Sequence, residues 1–298
     1  MELQSKIEDF RTANINVYAL SYDEQDALAD FRDAYDISYP LLSDPESEII
    51  RQFGILNTLI SADDHPWFGI PFPGAYVANS EGIITHKFFE NNLALRAGPE
   101  MLLRAAQGGR IGQLAARRES PAETTWNVFL DADRLAVSVV KDLVATIEVP
   151  DGRHLYADPA PDGNVPVTLV LDEDYRIVVQ ESIKPASKPL TLGGTGEVID
   201  VYEGSIEFRL PISVNANLGI VDTESNNIKL TGELRWQTCD DQVCDLPRRE
   251  RFELTVPLAS VVVSELRTPA DGVLVRSMNG MKHFKRMTER RSAASENE

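Results

Sequence analysis

The hydrophobic pattern of this chain changes period once, and that change constrains the fold more than any other feature. Up to residue 107, apolar residues follow helix spacings and short-strand runs in turn. From residue 123 they alternate every second position in many short runs. The segment between, GGRIGQLAARRESPA (108–122), holds three glycines, charges and a proline, and supports neither period. The 298 residues therefore divide into domains at 1–107 and 123–265, with 108–122 as linker. Residues 266–298 lose apolar periodicity, end in RRSAASENE and read as a disordered tail.

In the first domain, residues 2–13 place Leu3, Ile7 and Phe10 on one helical face. NVYALS (16–21) suits a buried parallel strand. Residues 23–35 predict a helix with Leu28, Phe31 and Tyr35 on one face and Asp23 as cap. A short strand follows at 39–42. Asp44 then caps a helix over 45–53, with Pro45 at its first position, where the missing N–H costs nothing. Strands at 75–79 and 83–89 flank a Ser-Glu-Gly turn, and a helix over 99–107 closes the unit. This β-α-β-α order predicts a mostly parallel sheet with helices packed on it. In the second domain, runs at 135–140, 143–147, 167–171, 206–210, 228–237 and 251–256 predict an antiparallel sandwich of immunoglobulin size.

The net charge of −18 argues against nucleic acid and against an anionic membrane surface. No stretch approaches the roughly 18 consecutive apolar residues of a membrane span. The N-terminus lacks a basic segment followed by an apolar one, so it does not read as a signal peptide. His65, His86, His154 and His283 lack metal-ligand spacing, so neither a metal nor another cofactor is expected.

The two cysteines, Cys239 and Cys244, sit in the run TCDDQVCDLP between alternating segments. That placement predicts a β-hairpin turn with the cysteines facing each other, near the roughly 5.5 Å Cα separation that a disulfide takes. A loop this short stabilises by only about 2 kcal/mol when closed. A structural staple and an exchangeable redox pair are both compatible with these residues. Asp240, Asp241 and Asp245 disfavour thiolate, which suits exchange with a partner whose own cysteine is the activated one.

The cysteine run, with VPDGRHLY (149–156) and KPLTLGG (188–194), resembles the N-terminal domain of the thiol:disulfide interchange protein DsbD family across about 135–258. The resemblance implies an immunoglobulin-like sandwich whose hairpin cysteines pass reducing equivalents onward. His154 and Tyr156 are read as packing and turn residues. The first domain has its own resemblance, over about 1–95. NVYALS, YPLLSDP (39–45), FGI (53–55), GIPFPGAYV (69–77) and SEG (80–82) resemble the AhpC/TSA (redoxin) family. This implies a thioredoxin-like α/β fold, with Pro73 matching its cis-proline, which positions substrate. The family pattern also places an arginine in this region, where this chain has Gly-Ile-Pro-Phe-Pro-Gly. Its active-site cysteine follows a central strand, yet no cysteine precedes Cys239. The domain is therefore expected to be incomplete, with a strand and a cysteine or selenocysteine codon upstream of Met1.

The expected function is that of a redoxin-type antioxidant oxidoreductase acting on disulfide or peroxide, with Cys239 and Cys244 as electron relay and a thiol–disulfide protein as partner. The alternative is a non-catalytic module that only exchanges disulfides with its partner. A hydrolase reading through Ser43, Asp44 and His65 lacks a nucleophile elbow. The N-terminus favours the cytoplasm, and the DsbD resemblance favours the periplasm.

Overall fold

The computed structural model describes residues 2–60, 68–109, 122–192, 196–215 and 227–259. Most of the linker, the 266–298 tail and His65 lie outside the described residues. Chain contacts divide the protein into two units, the break falling between Gln107 and Gly108. It is mostly β, with few and short helices.

In the first unit, strands Ala19–Ser21 and Leu41–Ser43 pair in parallel, joined through helix Gln25–Ala34. That helix starts after Glu24, one residue later than expected, because Asp23 accepts the Ser21 hydroxyl instead. The first helix is interrupted at Lys6, giving Glu2–Ser5 and Ile7–Thr12, and it buries Ile7 and Phe10. Asp44 does cap, though across a longer reach than expected. Its two carboxylate oxygens accept the N–H groups of Glu48 and Ile50, both at 2.9 Å. The helix therefore begins at Glu48 (Glu48–Gln52), and residues 45–47 form a turn with Ser47 left-handed at φ 55°. Strands Gly74–Ala78 and Ile84–Phe89 form an antiparallel hairpin, and helix Pro99–Ala106 follows. The parallel pair and the hairpin are separate two-stranded sheets. A continuous mostly parallel sheet is thus not formed by the described residues, because none of them supplies a strand bonded to both pairs.

Pro73 departs from expectation. Among the described residues the cis peptide bond is Asp158–Pro159, and Phe72–Pro73 is trans. The segment before Pro73 is already held extended: Asn57 N–H donates to Ile70 and Phe72 N–H donates to Ile55. An X-Pro bond stays trans unless surrounding contacts select the cis form.

In the second unit, one antiparallel sheet orders Thr125–Leu130, Val139–Glu148, Ser205–Val214 and Ile177–Val179. A second orders Thr168–Leu171, Asn227–Trp236 and Arg248–Pro257. The core lies between them. Leu143, Ile147, Ile206, Phe208 and Ile212 on one side meet Leu230, Leu234, Trp236 and Phe252 on the other. Burying each such side chain contributes about 1.5–3 kcal/mol. The alternation Ile228, Leu230, Leu234, Trp236 skips Gly232 for a steric reason. A Cβ there would lie 2.3 Å from the Val170 carbonyl oxygen and 2.5 Å from the Phe252 ring. A third sheet of short strands orders Lys188–Thr191, Val198–Tyr202, His154–Tyr156 and Thr238–Cys239; it carries Cys239, to which Cys244 makes an isolated bridge.

Candidate functional site: the Cys239–Cys244 bridge

The long hairpin arms form as the alternation predicts, with Trp236 opposite Arg248. What lies between them is not a simple turn. Residues 237–247 make an excursion in which Thr238–Cys239 leaves the arm and joins the third sheet, with Cys239 opposite His154. Several hydrogen bonds fix this departure. Gln237 Nε2 donates to the Asp245 carbonyl at 3.0 Å, while its Oε1 accepts the Val165 N–H at 3.0 Å. Asp245 N–H donates to Thr238 at 2.8 Å.

Cys239 and Cys244 are joined by a disulfide, with Cα atoms 4.0 Å apart. The loop between them is built on Asp240, whose Oδ1 accepts the N–H groups of Gln242 and Val243, both at 2.8 Å. Those amides hold the Asp240 carboxyl below its ordinary range. An aspartate bonding its own backbone in this way is the usual device of a tight turn. The two cysteines differ in environment. Cys239 is fully buried with Tyr156, Ile199 and Val201, whereas Cys244 is exposed. Beside it Val243 is 62% and Leu246 is 86% exposed. The bridge therefore has one inaccessible end and one that another protein can reach.

The charges around the bridge are partly compensated. Arg153 pairs with Asp245 at 2.9 Å and also approaches the Thr238 carbonyl oxygen at 3.4 Å. Arg249 and Arg251 are engaged elsewhere, with Glu233 and Asp172. Asp245 thus opposes thiolate less strongly than its sequence position suggests, whereas Asp240, held ionised by its loop amides, keeps its charge beside the bridge.

Two residues read from sequence as packing and turn residues belong to this site. The Tyr156 hydroxyl lies 3.3 Å from Cys244 Sγ, and burial raises that phenol above its ordinary pKa. The His154 ring packs edge-on against Tyr156, with centroids 5.6 Å apart. Burial lowers the His154 imidazole, against Asp241, Glu203 and Asp240, which favour its charged form. The available signal was the i,i+2 spacing of His154 and Tyr156 in an apolar run, which puts both on one strand face. Nothing in the sequence said which strand that face would meet.

Comparison with known proteins gives one family match in each unit. Residues 1–87 match the model of the AhpC/TSA family. Residues 129–256 match the model "Thiol:disulfide interchange protein DsbD, N-terminal". The chain matches two families, one in each unit. Two Mycobacterium tuberculosis proteins named as peroxiredoxins, of strains CDC 1551 and H37Rv, are each 42% identical over 53 residues. That stretch is 18% of this chain, which spans only 34% of those relatives. The DsbD N-terminal domain of Neisseria meningitidis in its reduced form aligns at 14% identity. It covers 42% of this chain and 80% of its own, with a TM-score of 0.28. The N-terminal periplasmic domain of ScsB from Proteus mirabilis aligns at 15% identity. It covers 49% of this chain and 50% of its own, with a TM-score of 0.30.

Both cysteines thus lie in the DsbD-type segment. Pro73 lies in the AhpC/TSA segment, half-buried and just before strand Gly74–Ala78. Ser43 and Asp44 are accounted for structurally, with Ser43 Oγ donating to the Asp23 carbonyl at 2.6 Å and Asp44 acting as cap. Among the described residues no helix is long and apolar enough to cross a membrane.

Proposed function

We propose that this protein is a thiol–disulfide oxidoreductase of the redoxin, antioxidant type, in which Cys239 and Cys244 act as an electron relay. The observation that carries this is the asymmetry of the bridge: exposed Cys244 bonded to buried Cys239. A partner thiolate attacks Cys244 Sγ and forms a mixed disulfide, while Cys239 leaves with the bonding electron pair. The partner's second thiol then releases Cys244, so the partner's dithiol is oxidised and this pair is reduced. The partner is another protein with an activated cysteine. The two modules assigned to 1–107 and 123–265 are a thioredoxin-like redoxin domain and an immunoglobulin-like sandwich. Pro73 is assigned to substrate positioning in the first. Residues 1–238 contain no cysteine, so peroxide chemistry in the redoxin part needs a thiol or selenol from beyond these residues.

The test is trapping. In a Cys239→Ser variant the remaining Cys244 thiolate attacks the disulfide of an oxidised dithiol protein such as thioredoxin, forming a mixed disulfide and freeing the partner's second cysteine as a thiol. In Cys244→Ser the buried Cys239 does so far more slowly. Equal trapping by both variants counts against the asymmetric relay. The second reading, a module that docks and exchanges without turnover, is favoured by the exposed Val243 and Leu246 beside the bridge. Single-turnover exchange without multiple turnovers distinguishes it.

A further inference from the structure

Strand His154–Tyr156 gathers three groups on one side of the third sheet. His154 and Tyr156, two apart, share a face. Cys239 is the cross-strand partner of His154, and directly opposed residues share a face with Cβ atoms about 5 Å apart. Tyr156 links this face to Cys244, its hydroxyl 3.3 Å from Sγ. His154 is only 4% exposed, and its Nε2 has no hydrogen-bond partner among the described residues. A buried polar atom left in that state costs about 1–3 kcal/mol. Here it stands across the ladder from the sulfur that must accept charge.

Resting on the exchange reading above, we infer that His154 holds the proton that neutralises Cys239 when the disulfide opens. When a partner thiolate bonds to Cys244 Sγ, the Cys239–Cys244 bond breaks and its electron pair stays on Cys239 Sγ. That sulfur lies among Tyr156, Ile199 and Val201 with no access to water. A thiolate confined there is costly unless paired or protonated. The appearing negative charge favours imidazolium at His154. The ring takes a proton from solvent and passes it to Cys239 Sγ. In the reverse direction His154 accepts that proton as Cys239 attacks the mixed disulfide. When the partner's second thiol releases Cys244, the Tyr156 hydroxyl donates to the new thiolate, which solvent then protonates. Overall the partner loses two electrons and two protons, and the cysteine pair gains both.

The groups facing His154 fit this role. Asp240 and Asp241 from the cysteine loop and Glu203 from the turn after Val198–Tyr202 favour the charged ring. Arg153 opposes it, but that guanidinium is tied to Asp245. Tyr156 and Tyr202, both with raised phenol pKa, stay neutral. Burial outweighs the carboxylates while the bridge is closed. Charge appearing on Cys239 opposes that burial effect, so the ring gains proton affinity as the disulfide opens.

The test is stopped-flow reduction of the full chain by dithiothreitol from pH 5 to 9, with rates divided by the attacking thiolate concentration. In the native protein the normalised rate rises as pH falls through the His154 pKa. In His154→Gln, whose amide does not titrate or transfer a proton, it stays flat and lies about a hundredfold lower at the acid end, the lower range of proton-transfer assistance. A native pH profile in His154→Gln overturns the inference while leaving the exchange reading intact. A disulfide that neither dithiothreitol nor a dithiol protein reduces in the native chain overturns both. A second measurement avoids any variant. With the pair reduced and the exposed Cys244 alkylated, the His154 ring followed by NMR shows two coupled titration steps, one at the ionisation of Cys239. A single step unaffected by Cys239 overturns the inference.

Discussion

His154 makes stability depend on pH in a definite direction. Its folded pKa lies below the ordinary value of 6.5, so near pH 6 the unfolded chain binds more protons than the folded one. The contribution is fully present above the unfolded value, declines as pH falls below it, and levels off once the folded pKa is passed. Urea unfolding of the oxidised protein between pH 5 and 8 is expected to show this decline, and His154→Phe is expected to flatten it. Asp44 is a second residue whose effect is local. Its carboxylate satisfies two N–H groups at the start of helix Glu48–Gln52. Asp44→Ala is expected to destabilise the first unit by about 1–2 kcal/mol, read as an earlier unfolding transition.

At the scale of elements, the paired strands of the second unit enclose a charge cluster that alternation does not foretell. The Arg209 side chain is fully buried, with Nη1 donating to Asp142 at 2.7 Å and Asp131 at 2.8 Å, and Nε donating to Glu207 at 2.7 Å. The cluster ties the end of Thr125–Leu130 to Val139–Glu148 and Ser205–Val214. Arg209→Met leaves these carboxylates without their cation and is expected to cost about 3–5 kcal/mol by chemical denaturation. Gly232→Ala forces its new methyl onto the Val170 carbonyl oxygen and the Phe252 ring. It is expected to cost about 1–3 kcal/mol, and a thermal midpoint equal to the native one would contradict that. The elements themselves were unevenly legible. The arms Asn227–Trp236 and Arg248–Pro257 follow from alternation. Strand Thr125–Leu130 is not legible in the sequence because TWNVFL alternates poorly at its apolar end.

Over the whole molecule, charge and cysteine count set the terms of exchange. The net charge is −18, and the chain's two cysteines are both in one bridge. An acidic thiol such as glutathione is repelled, so its exchange rate is expected to rise with salt up to about 0.15 M, where screening shortens to about 8 Å. A neutral thiol is expected to show little change. A glutathione rate that falls with salt would place the reacting bridge in a locally positive field instead.

The sequence by itself determined the change of period near residue 108, the two family resemblances and the close spacing of Cys239 and Cys244. Those are local properties: alternation, turn-forming Asp240 and motif order are carried by neighbours in the chain. Tertiary structure decided what the cysteines face. His154 lies 85 residues before Cys239 in the numbering, and only the pairing of Thr238–Cys239 with His154–Tyr156 brings them together. It also decided which cysteine is buried, because burial depends on Ile199 and Val201 from another strand. For Pro73, motif order gave a position, and no contact among the described residues selected the cis bond over the default trans one. Register and burial arise from contacts between distant segments, and no local pattern encodes them.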